Sequence, residues 1–478
     1  MAGTPLVVGV DSSTQSTKVE ARRMDTGAIV AVGTARHPAT WPPVSEQDPQ
    51  AWWDALVVAC GGLGTARADV VAMAVAGQQH GLVLLGDDGV AVRPAKLWND
   101  TTSAPQAQAL VSALGAGRWA ELVGSVPVPA FTITKLAWVA AHEPDALART
   151  ARVMLPHDYL TWRLTGEHVT DRGDASGTGW FDPVAGVVRP ELLDTAVAGT
   201  GWRGELPRVL GPTEAAGVLT PAAAALGLPA GIVVGPGTGD NMAAALGLGL
   251  APGDVAISLG TSGTAFAVST SPTHDPTGAV AGFASASGEF LPLVCTLNAT
   301  KVTDAVGRWL GVDAAGLAEL ALSAIDDPGG VVLVPYFDGE RTPNRPDATG
   351  SLVGLTPATS RTQLALAAHD GVLCGLLDGV DALAAVGASV GGRRFLVGGG
   401  ARSAAYRQRL ADLSGRQAVV PDADETVATG AALQAAVVVT GDAFPAVAAR
   451  WGLGRGATVD PAVDARDHRQ AYAAAVRS

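Results

Sequence analysis

The sequence predicts an α/β protein built from two related halves. Short apolar runs alternate with Ala-rich helical stretches along its 478 residues, which is typical of an α/β architecture. A chain of this length fits two large domains. A strand–turn–strand pattern at residues 7–18 returns at residues 256–268. Two hairpins of one type, half a chain apart, favour two related domains, with coincidence in a Gly- and Thr-rich sequence as the simpler alternative.

The apolar runs place the predicted elements along the chain. No Pro- or Ser-rich linker separates the halves and no short internal repeat occurs, which excludes solenoids and propellers. The predicted strands are Leu6–Val10, Val70–Ala76, Leu82–Leu85, Val153–Leu155, Gly231–Val234, Val255–Leu259, Val331–Pro335 and Arg394–Val397. The predicted helices are Gln50–Cys60, Ala104–Leu114, Gln363–Val386 and Thr426–Val439.

Charge and composition exclude several partners. With 32 Lys and Arg against 45 Asp and Glu, the net charge is −13, so neither nucleic acid nor an anionic membrane surface is expected. Residues 215–239 are uncharged, but three prolines interrupt them, so we expect no spanning helix. The first ten residues lack a basic residue and enter an apolar strand, which argues against a secretory signal. Three cysteines without CxxC spacing fit structural thiols in the cytoplasm.

Both repeated hairpins turn through small polar residues. A turn of Ser, Thr and Gly between two strands presents backbone N–H groups and hydroxyls at one point, which suits phosphate oxygens. Two such hairpins facing each other would clamp a triphosphate between two domains, and an ordinary hairpin is the alternative for each. Neither is a P-loop, and no GxGxxG motif follows the first strand.

Two further features point to a phosphorylated ligand. The strand ending at Val397 runs into Gly398, Gly399 and Gly400 before a helix, so backbone can approach a flat or phosphorylated ligand closely. Asp11 ends the first strand, and Mg²⁺ needs only one or two carboxylates in addition to phosphates and waters. A tight strand–helix turn and a turn-initiating Asp are the alternatives.

Asp240 lies in a stretch with almost no charge. Between Ala215 and Thr273 the charged residues are Asp240 and Asp254. Asp254 follows Ala-Pro-Gly before a strand, which predicts a surface turn. Asp240 precedes an apolar helix, so we expect it to be the helix N-cap. The same position would also allow its carboxylate to point into a cleft as a general base.

A polar cluster favours binding of a polyol or sugar. Gln79 and His80 lie between glycines after the strand Val70–Ala76, and Trp98 precedes Asn99 and Asp100. Hydrogen-bonding groups beside an aromatic face are typical of a carbohydrate site, although a lone His is more often structural. The sequence holds no HExxH, GxSxG or zinc-ligand spacing, so metalloprotease, serine hydrolase and zinc functions lack support.

Together these segments resemble the FGGY family of carbohydrate kinases over nearly the whole chain. The segment 350–370 is also similar to the family's C-terminal signature. The matching motifs, in the family's order, are GVDSSTQSTK, SEQDPQAWWDAL, GQQHG, LWND, LPHDYLTWRLTGE, DASGT, GTGDN, SLGTSG, GERTP and VGGGARS.

The resemblance implies a fold and a set of site residues. The fold would be two actin-like, ribonuclease-H-type domains, residues 1–246 and 247–478, with ATP in the cleft between them. Asp240 matches the catalytic base, and Asp11 the acidic residue near Mg²⁺ and the phosphates. The remaining matches are Thr14, Gln15, Ser16 and Lys18 on the first phosphate hairpin, Gly260 and Thr261 on the second, Gly399, Gly400, Ala401 and Ser403 in the nucleotide pocket, and Gln79, His80, Trp98, Asp240 and Asn241 in the sugar site.

Two residues depart from the family's pattern. Ser13 stands where the first loop commonly has Gly, and Gln79 stands where a bacterial member has Met. The first departure affects the phosphate contacts of the loop, and the second affects how the far end of the sugar is held.

The expected activity is ATP-dependent phosphorylation of a ketopentose, D-xylulose at its 5-hydroxyl. The alternatives are a related kinase for D-ribulose, a pentitol or another polyol, a non-catalytic actin-like ATPase, and a sugar-binding regulator. The polar cluster argues against a filament protein, and the intact Asp11 and Asp240 argue against a regulator. The resemblance also allows a homodimer.

Overall fold

The structure is a computed structural model that describes residues 4–422 and 425–477. Met1–Gly3, the start of the segment considered for a secretory signal, lie outside the described residues. The strands are β1 (Leu6–Ser12), β2 (Ser16–Arg23), β3 (Ile29–Arg36), β4 (Glu46–Gln47), β5 (Val70–Gly77), β6 (Val83–Leu85), β7 (Ala95–Lys96), β8 (Arg152–Met154), β9 (Val169–Asp171), β10 (Phe181–Asp182), β11 (Val187–Val188), β12 (Arg208–Leu210), β13 (Gly217–Val218), β14 (Val233–Val234), β15 (Thr238–Gly239), β16 (Val255–Leu259), β17 (Gly263–Ala267), β18 (Ala281–Ala284), β19 (Phe290–Thr296), β20 (Val332–Val334), β21 (Ser351–Val353), β22 (Arg394–Val397), β23 (Ala418–Pro421) and β24 (Gly456–Val459).

Helices cover these strands and connect them. They are α1 (Pro49–Gly61), α2 (Ala104–Leu114), α3 (Ala116–Val123), α4 (Thr132–His142), α5 (Pro144–Arg149), α6 (Pro156–Thr165), α7 (Arg172–Ala175), α8 (Pro190–Ala196), α9 (Asp240–Gly247), α10 (Thr300–Leu310), α11 (Ala314–Leu322), α12 (Arg361–Ala385), α13 (Ala404–Ser414), α14 (Val427–Thr440), α15 (Phe444–Trp451) and α16 (Arg466–Arg477), with short 3₁₀ helices at Gly64–Asp69, Pro221–Leu226 and Gly399–Arg402.

Two mixed sheets form the centres of the two halves. The first has the order β13-β14-β5-β1-β2-β3, with β15 also paired to β5, and the second has the order β18-β19-β17-β16-β22-β23-β24. In the first sheet β1 is antiparallel to β2 and parallel to β5. In the second sheet β16 is antiparallel to β17 and parallel to β22. The repeated strand–turn–strand pattern in the sequence is therefore confirmed as two hairpins in equivalent places of the two sheets.

Every predicted strand and helix is present, with ends that agree to within two residues. The apolar runs identify these elements well because the central strands are buried on both faces. In β1, for example, Leu6–Val10 are buried throughout.

The surface turn predicted at Asp254 is wrong. Asp254 is buried, and its carboxylate accepts the Ala251 N–H and the Arg393 N–H and pairs with the Arg393 guanidinium at 2.6 Å. The pair ties the start of β16 to the residue before β22. A buried carboxylate is tolerated here because two backbone N–H groups and a guanidinium donate hydrogen bonds to it.

Helices α9 and α14 pack against each other and against the first sheet. Gly430 of α14 lies so close to α9 that a Cβ would be 1.8 Å from the Ala243 carbonyl oxygen, and a Cβ on Gly247 would be 1.9 Å from that of Thr426. Gln434 also donates to the Gly237 carbonyl at 3.1 Å. The close packing fixes the start of α9, where Asp240 lies. No helix in the described part of the chain is long and apolar enough to cross a membrane.

Candidate active site

Asp240 begins α9 at the end of the short strand β15. The capping position belongs to Gly239, and no side chain caps this helix, so the N-cap expected at Asp240 is wrong by one residue. The Asp240 Oδ1 accepts the Asn241 backbone N–H at 2.7 Å and its Nδ2 at 2.9 Å. Burial raises the pKa of Asp240 to about 6, against these two hydrogen bonds, which lower it. A carboxylate with this pKa is ionised near neutral pH and can still accept a proton.

The residues predicted for the sugar site line one cavity of about 380 Å³. The second hairpin closes another side of the cavity, so both halves of the chain contribute to it. A concave site with few polar groups among apolar walls is the usual form of a small-molecule site. The polar and glycine residues lining it include Gln79, His80, Trp98, Asp240, Asn241, Gly260, Thr261 and Arg341.

Gln79 connects to the candidate base through Asn241. Its Oε1 accepts the Asn241 Nδ2 at 2.6 Å, and Asn241 in turn contacts Asp240. The Gln79 Nε2 is buried and has no hydrogen-bond partner within the described residues. A buried amide N–H without a hydrogen-bond acceptor costs free energy. This group is therefore available to donate to a hydroxyl of a ligand.

His80 adopts a backbone conformation that side chains rarely take. Its φ is +64°, a positive value that no other non-glycine residue in the described chain has. The ring packs against Phe131 and Phe283, with centroids 5.3 and 5.2 Å away, and these two rings also contact each other. Burial, reinforced by Lys135 and Arg341, holds its pKa well below the usual range, so the imidazole is neutral. A neutral imidazole has one donor and one acceptor nitrogen, and within the described residues the buried Nδ1 has no hydrogen-bond partner.

A buried cluster of ionisable side chains contacts the backbone of His80. The Asp174 Oδ1 accepts the His80 backbone N–H at 3.3 Å, and the His157 Nε2 lies 3.2, 3.4 and 3.6 Å from Asp158, Asp171 and Asp174. Burial alone would lower the pKa of His157, but the three carboxylates together raise it to about 9. The imidazolium thus compensates carboxylates that would otherwise be buried without a counter-charge.

Trp98 connects the first hairpin to the cavity that Gln79 and His80 line. Its indole is 44% exposed, and Nε1 donates to the Thr14 hydroxyl at 3.0 Å. Thr14 donates in turn to the Gln78 side chain at 3.1 Å. Ser13 fits the turn without glycine, since its N–H and hydroxyl both contact the Ser16 carbonyl at 3.0 Å.

In the part of the chain that the structure describes, the cavity of Gln79 and His80 is not lined by the predicted first-hairpin residues Thr14, Gln15, Ser16 and Lys18. Lys18 pairs with Glu425 at 3.0 Å, and Gln15 is exposed at the hairpin tip. The Asp11 Oδ1 is buried with no hydrogen-bond partner in the described residues. Burial, together with the charges of Asp240 and Glu425, raises the pKa of Asp11 to about 8. An orphaned oxygen in a site short of positive charge fits a cation such as Mg²⁺.

The described part of the chain contains no group of three or more acidic, His or Cys side chains able to hold a metal ion alone.

Two glycine-lined cavities adjoin Asp240 and the second hairpin. One, of about 430 Å³, is lined by Asp240, Asn241, Gly398, Gly399 and Ala401, and the other, of about 750 Å³, by Gly260, Thr261, Gly399, Gly400 and Ser403.

Glycine is needed at one position that lines the first of these cavities. Gly398 has a φ of +84°, and a Cβ there would be 2.7 Å from the Leu259 carbonyl oxygen. Ser403 caps α13 by accepting the Tyr406 N–H at 3.4 Å. The predicted nucleotide residues thus lie together, beside the second hairpin.

Sequence reasoning missed several residues that line the cavity of Gln79 and His80. Phe131, Phe283, Cys295 and Arg341 all line it, and no polar cluster or glycine turn marks the first three in the sequence. Arg341 lies in the GERTP motif, which marks it in the sequence, but no function was assigned to this arginine.

The fold and the cavities define a two-domain carbohydrate kinase with an actin-like architecture. Models of the N-terminal and C-terminal domains of the FGGY family of carbohydrate kinases match residues 6–247 and 255–439. The chain belongs to this family.

The chain is similar to known proteins along nearly its whole length. It is 48% identical to the xylulose kinase of Streptomyces coelicolor and to that of Streptomyces rubiginosus, in each case over 95% of this chain and 92% of the relative. A crystal structure of xylulose kinase from Bifidobacterium adolescentis superimposes with a TM-score of 0.90 at 42% identity and covers 99% of both chains.

Proposed function

We propose that this protein phosphorylates D-xylulose at its 5-hydroxyl with ATP. The observation that carries the proposal is the position of Asp240, which lines both the cavity of Gln79, His80 and Trp98 and the adjoining glycine-lined cavity. A base at the boundary of two cavities can face a sugar hydroxyl on one side and a phosphate chain on the other. The names of the similar proteins support D-xylulose as the sugar.

Asp240 accepts the proton of the 5-hydroxyl while the hydroxyl oxygen attacks the terminal phosphorus of ATP. The bond from that phosphorus to the departing ADP then breaks. Asn241 holds the Asp240 carboxylate in place through two hydrogen bonds. Gln79 and His80 orient the sugar by hydrogen bonds, and Trp98 supplies an apolar wall. Phosphoryl transfer depends on positioning and electrostatics, which suits this set of residues.

The phosphate chain lies between the two hairpins in this proposal. Thr14, Gln15, Ser16 and Lys18 bind it from one side, and Gly260 and Thr261 from the other, while Gly399, Gly400, Ala401 and Ser403 border the nucleoside. Asp11 would hold Mg²⁺, which when bound neutralises charge on the phosphates. We place the enzyme in the cytoplasm, with domains of residues 1–246 and 247–478, and a homodimer is compatible with the proposal.

A coupled assay of ADP release over a panel of pentuloses and pentitols tests the proposed substrate. We expect the highest kcat/KM for D-xylulose, with phosphorus NMR placing the phosphate on the 5-oxygen. A higher kcat/KM for D-ribulose or for a pentitol would replace D-xylulose as the substrate. Binding of sugar without turnover of any member of the panel would leave only a regulator.

A further inference from the structure

Arg341 is a positively charged residue that lines the proposed sugar cavity. It has no role in the reaction proposed above. It lies in the loop between β20 and β21 and lines the cavity together with His80 and Cys295. Burial lowers the pKa of His80 and raises that of Cys295, and the Arg341 charge acts on both groups in the lowering direction, so the guanidinium lies within electrostatic reach of them. Within the described residues, it is the one Lys or Arg side chain lining this cavity.

The loop that carries Arg341 is firmly anchored by its neighbour Glu340. The buried Glu340 carboxylate accepts the Leu297 N–H at 2.6 Å, the Asn298 Nδ2 at 3.0 Å and the Arg341 N–H at 2.8 Å. The Asn298 Nδ2 also donates to the Gly339 carbonyl at 2.6 Å. These contacts fix the Arg341 backbone and occupy the adjacent carboxylate.

Among the described residues, the Arg341 guanidinium itself has no protein partner. It forms no hydrogen bond and no ion pair with any residue in 4–422 and 425–477. Of the side chains that the structure describes, the one carboxylate lining the cavity is that of Asp240, which Asn241 binds instead. A half-buried guanidinium presents up to five N–H donors and is satisfied best by an anion with several oxygens.

The neutral sugar cannot supply that anion, but its phosphate ester can. Resting on the proposed function, we propose that Arg341 binds the phosphoryl oxygens as they arrive on the sugar, and so recognises the phosphorylated product rather than the free ketopentose. The two opposite charges of the cavity then have separate roles. Asp240 takes the proton, and Arg341 contacts the group that replaces it.

The test compares the binding of sugar and sugar phosphate in the same protein. Dissociation constants for D-xylulose and D-xylulose 5-phosphate are measured by calorimetry in wild type, Arg341→Ala and Arg341→Lys. A charge-assisted contact of this kind predicts about 10- to 100-fold weaker ester binding in Arg341→Ala, with D-xylulose binding changed less than about 3-fold. Arg341→Lys, which keeps the charge but loses the planar fork, should fall between the two.

Arg345→Ala is the matched control. Arg345 lies in the same loop but donates to the Val476 carbonyl at 2.8 Å, away from the cavity. It should bind both ligands as wild type does. The ratio of the two constants within one variant is independent of the fraction of protein that folds, because both titrations use the same sample.

Two results would overturn the inference. Equal weakening of both ligands in Arg341→Ala would assign Arg341 to the neutral sugar, and unchanged ester binding would leave it without a ligand role. Wild-type turnover of D-xylulose is measured beside these titrations and tests the proposed function separately. If the wild type prefers another neutral sugar, the comparison is made with that sugar and its phosphate.

Discussion

At the residue scale, the candidate base and its neighbours form a short hydrogen-bonded chain. Asn241 contacts both Asp240 and Gln79, so the groups proposed to take the proton and to hold the sugar share one amide. Because burial raises the pKa of Asp240 to about 6, a small change in pH near that value alters its charge. Its proposed role in catalysis therefore predicts a signature in the pH profile.

Replacement of Asp240 by Asn removes the base and keeps the size of the side chain. We expect kcat to fall by about 10²- to 10⁴-fold, because general base catalysis contributes that much. The wild-type kcat/KM should decline below pH 6 as Asp240 is protonated, and the variant's residual activity should lack this decline. Initial rates across pH, with D-xylulose binding measured separately, check both. Wild-type turnover in Asp240→Asn would show that Asp240 is not the base.

At the element scale, the contact between α9 and α14 holds the candidate base Asp240 in position. Gly430→Ala would place a Cβ 1.8 Å from the Ala243 carbonyl oxygen, so α14 must shift away from α9. We expect a loss of about 1–3 kcal/mol in the free energy of unfolding, since overpacking a tight contact costs that much. Activity should fall as well, because α9 begins at Asp240. Denaturant unfolding and initial rates measure the two effects.

Gly117→Ala provides the comparison for this helix contact. Gly117 lies in α3, and a Cβ there would meet no atom within 4 Å. The same change should leave stability unchanged or raise it slightly, because Ala favours the helix more than Gly does. If both variants are equally stable and active, the close approach of α9 and α14 does not constrain the site.

The elements were predictable from the sequence to a greater extent than the contacts between them. Apolar runs gave the central strands because both of their faces are buried, and small polar turns gave the two hairpins. The local pattern around Asp254 resembled a surface turn, since its partner Arg393 is 139 positions away. Arg341 was overlooked for the same reason, because its place in the cavity depends on the anchoring of Glu340 by Leu297 and Asn298.

At the scale of the whole molecule, the two halves meet around the site. Lys18 of the first hairpin pairs with Glu425 at 3.0 Å, and Arg22 donates to the Thr429 hydroxyl at 2.6 Å. If phosphate oxygens are to reach Lys18, its pair with Glu425 must open. Ligand binding is therefore expected to change how the two halves contact each other, and not only the side chains in the cavities.

Small-angle scattering tests this expectation on the intact protein. The sugar is proposed to bind mainly to residues from the first half and the nucleotide mainly to residues from the second, so productive geometry requires the halves to close around both ligands. We expect a smaller radius of gyration with D-xylulose and a non-hydrolysable ATP analogue together than with either alone. Profiles that are identical with and without both ligands would contradict closure. Arg345→Ala leaves the cavities intact. Its radius of gyration should decrease with both ligands as that of wild type does, because closure depends on the ligands rather than on this side chain of the loop between β20 and β21.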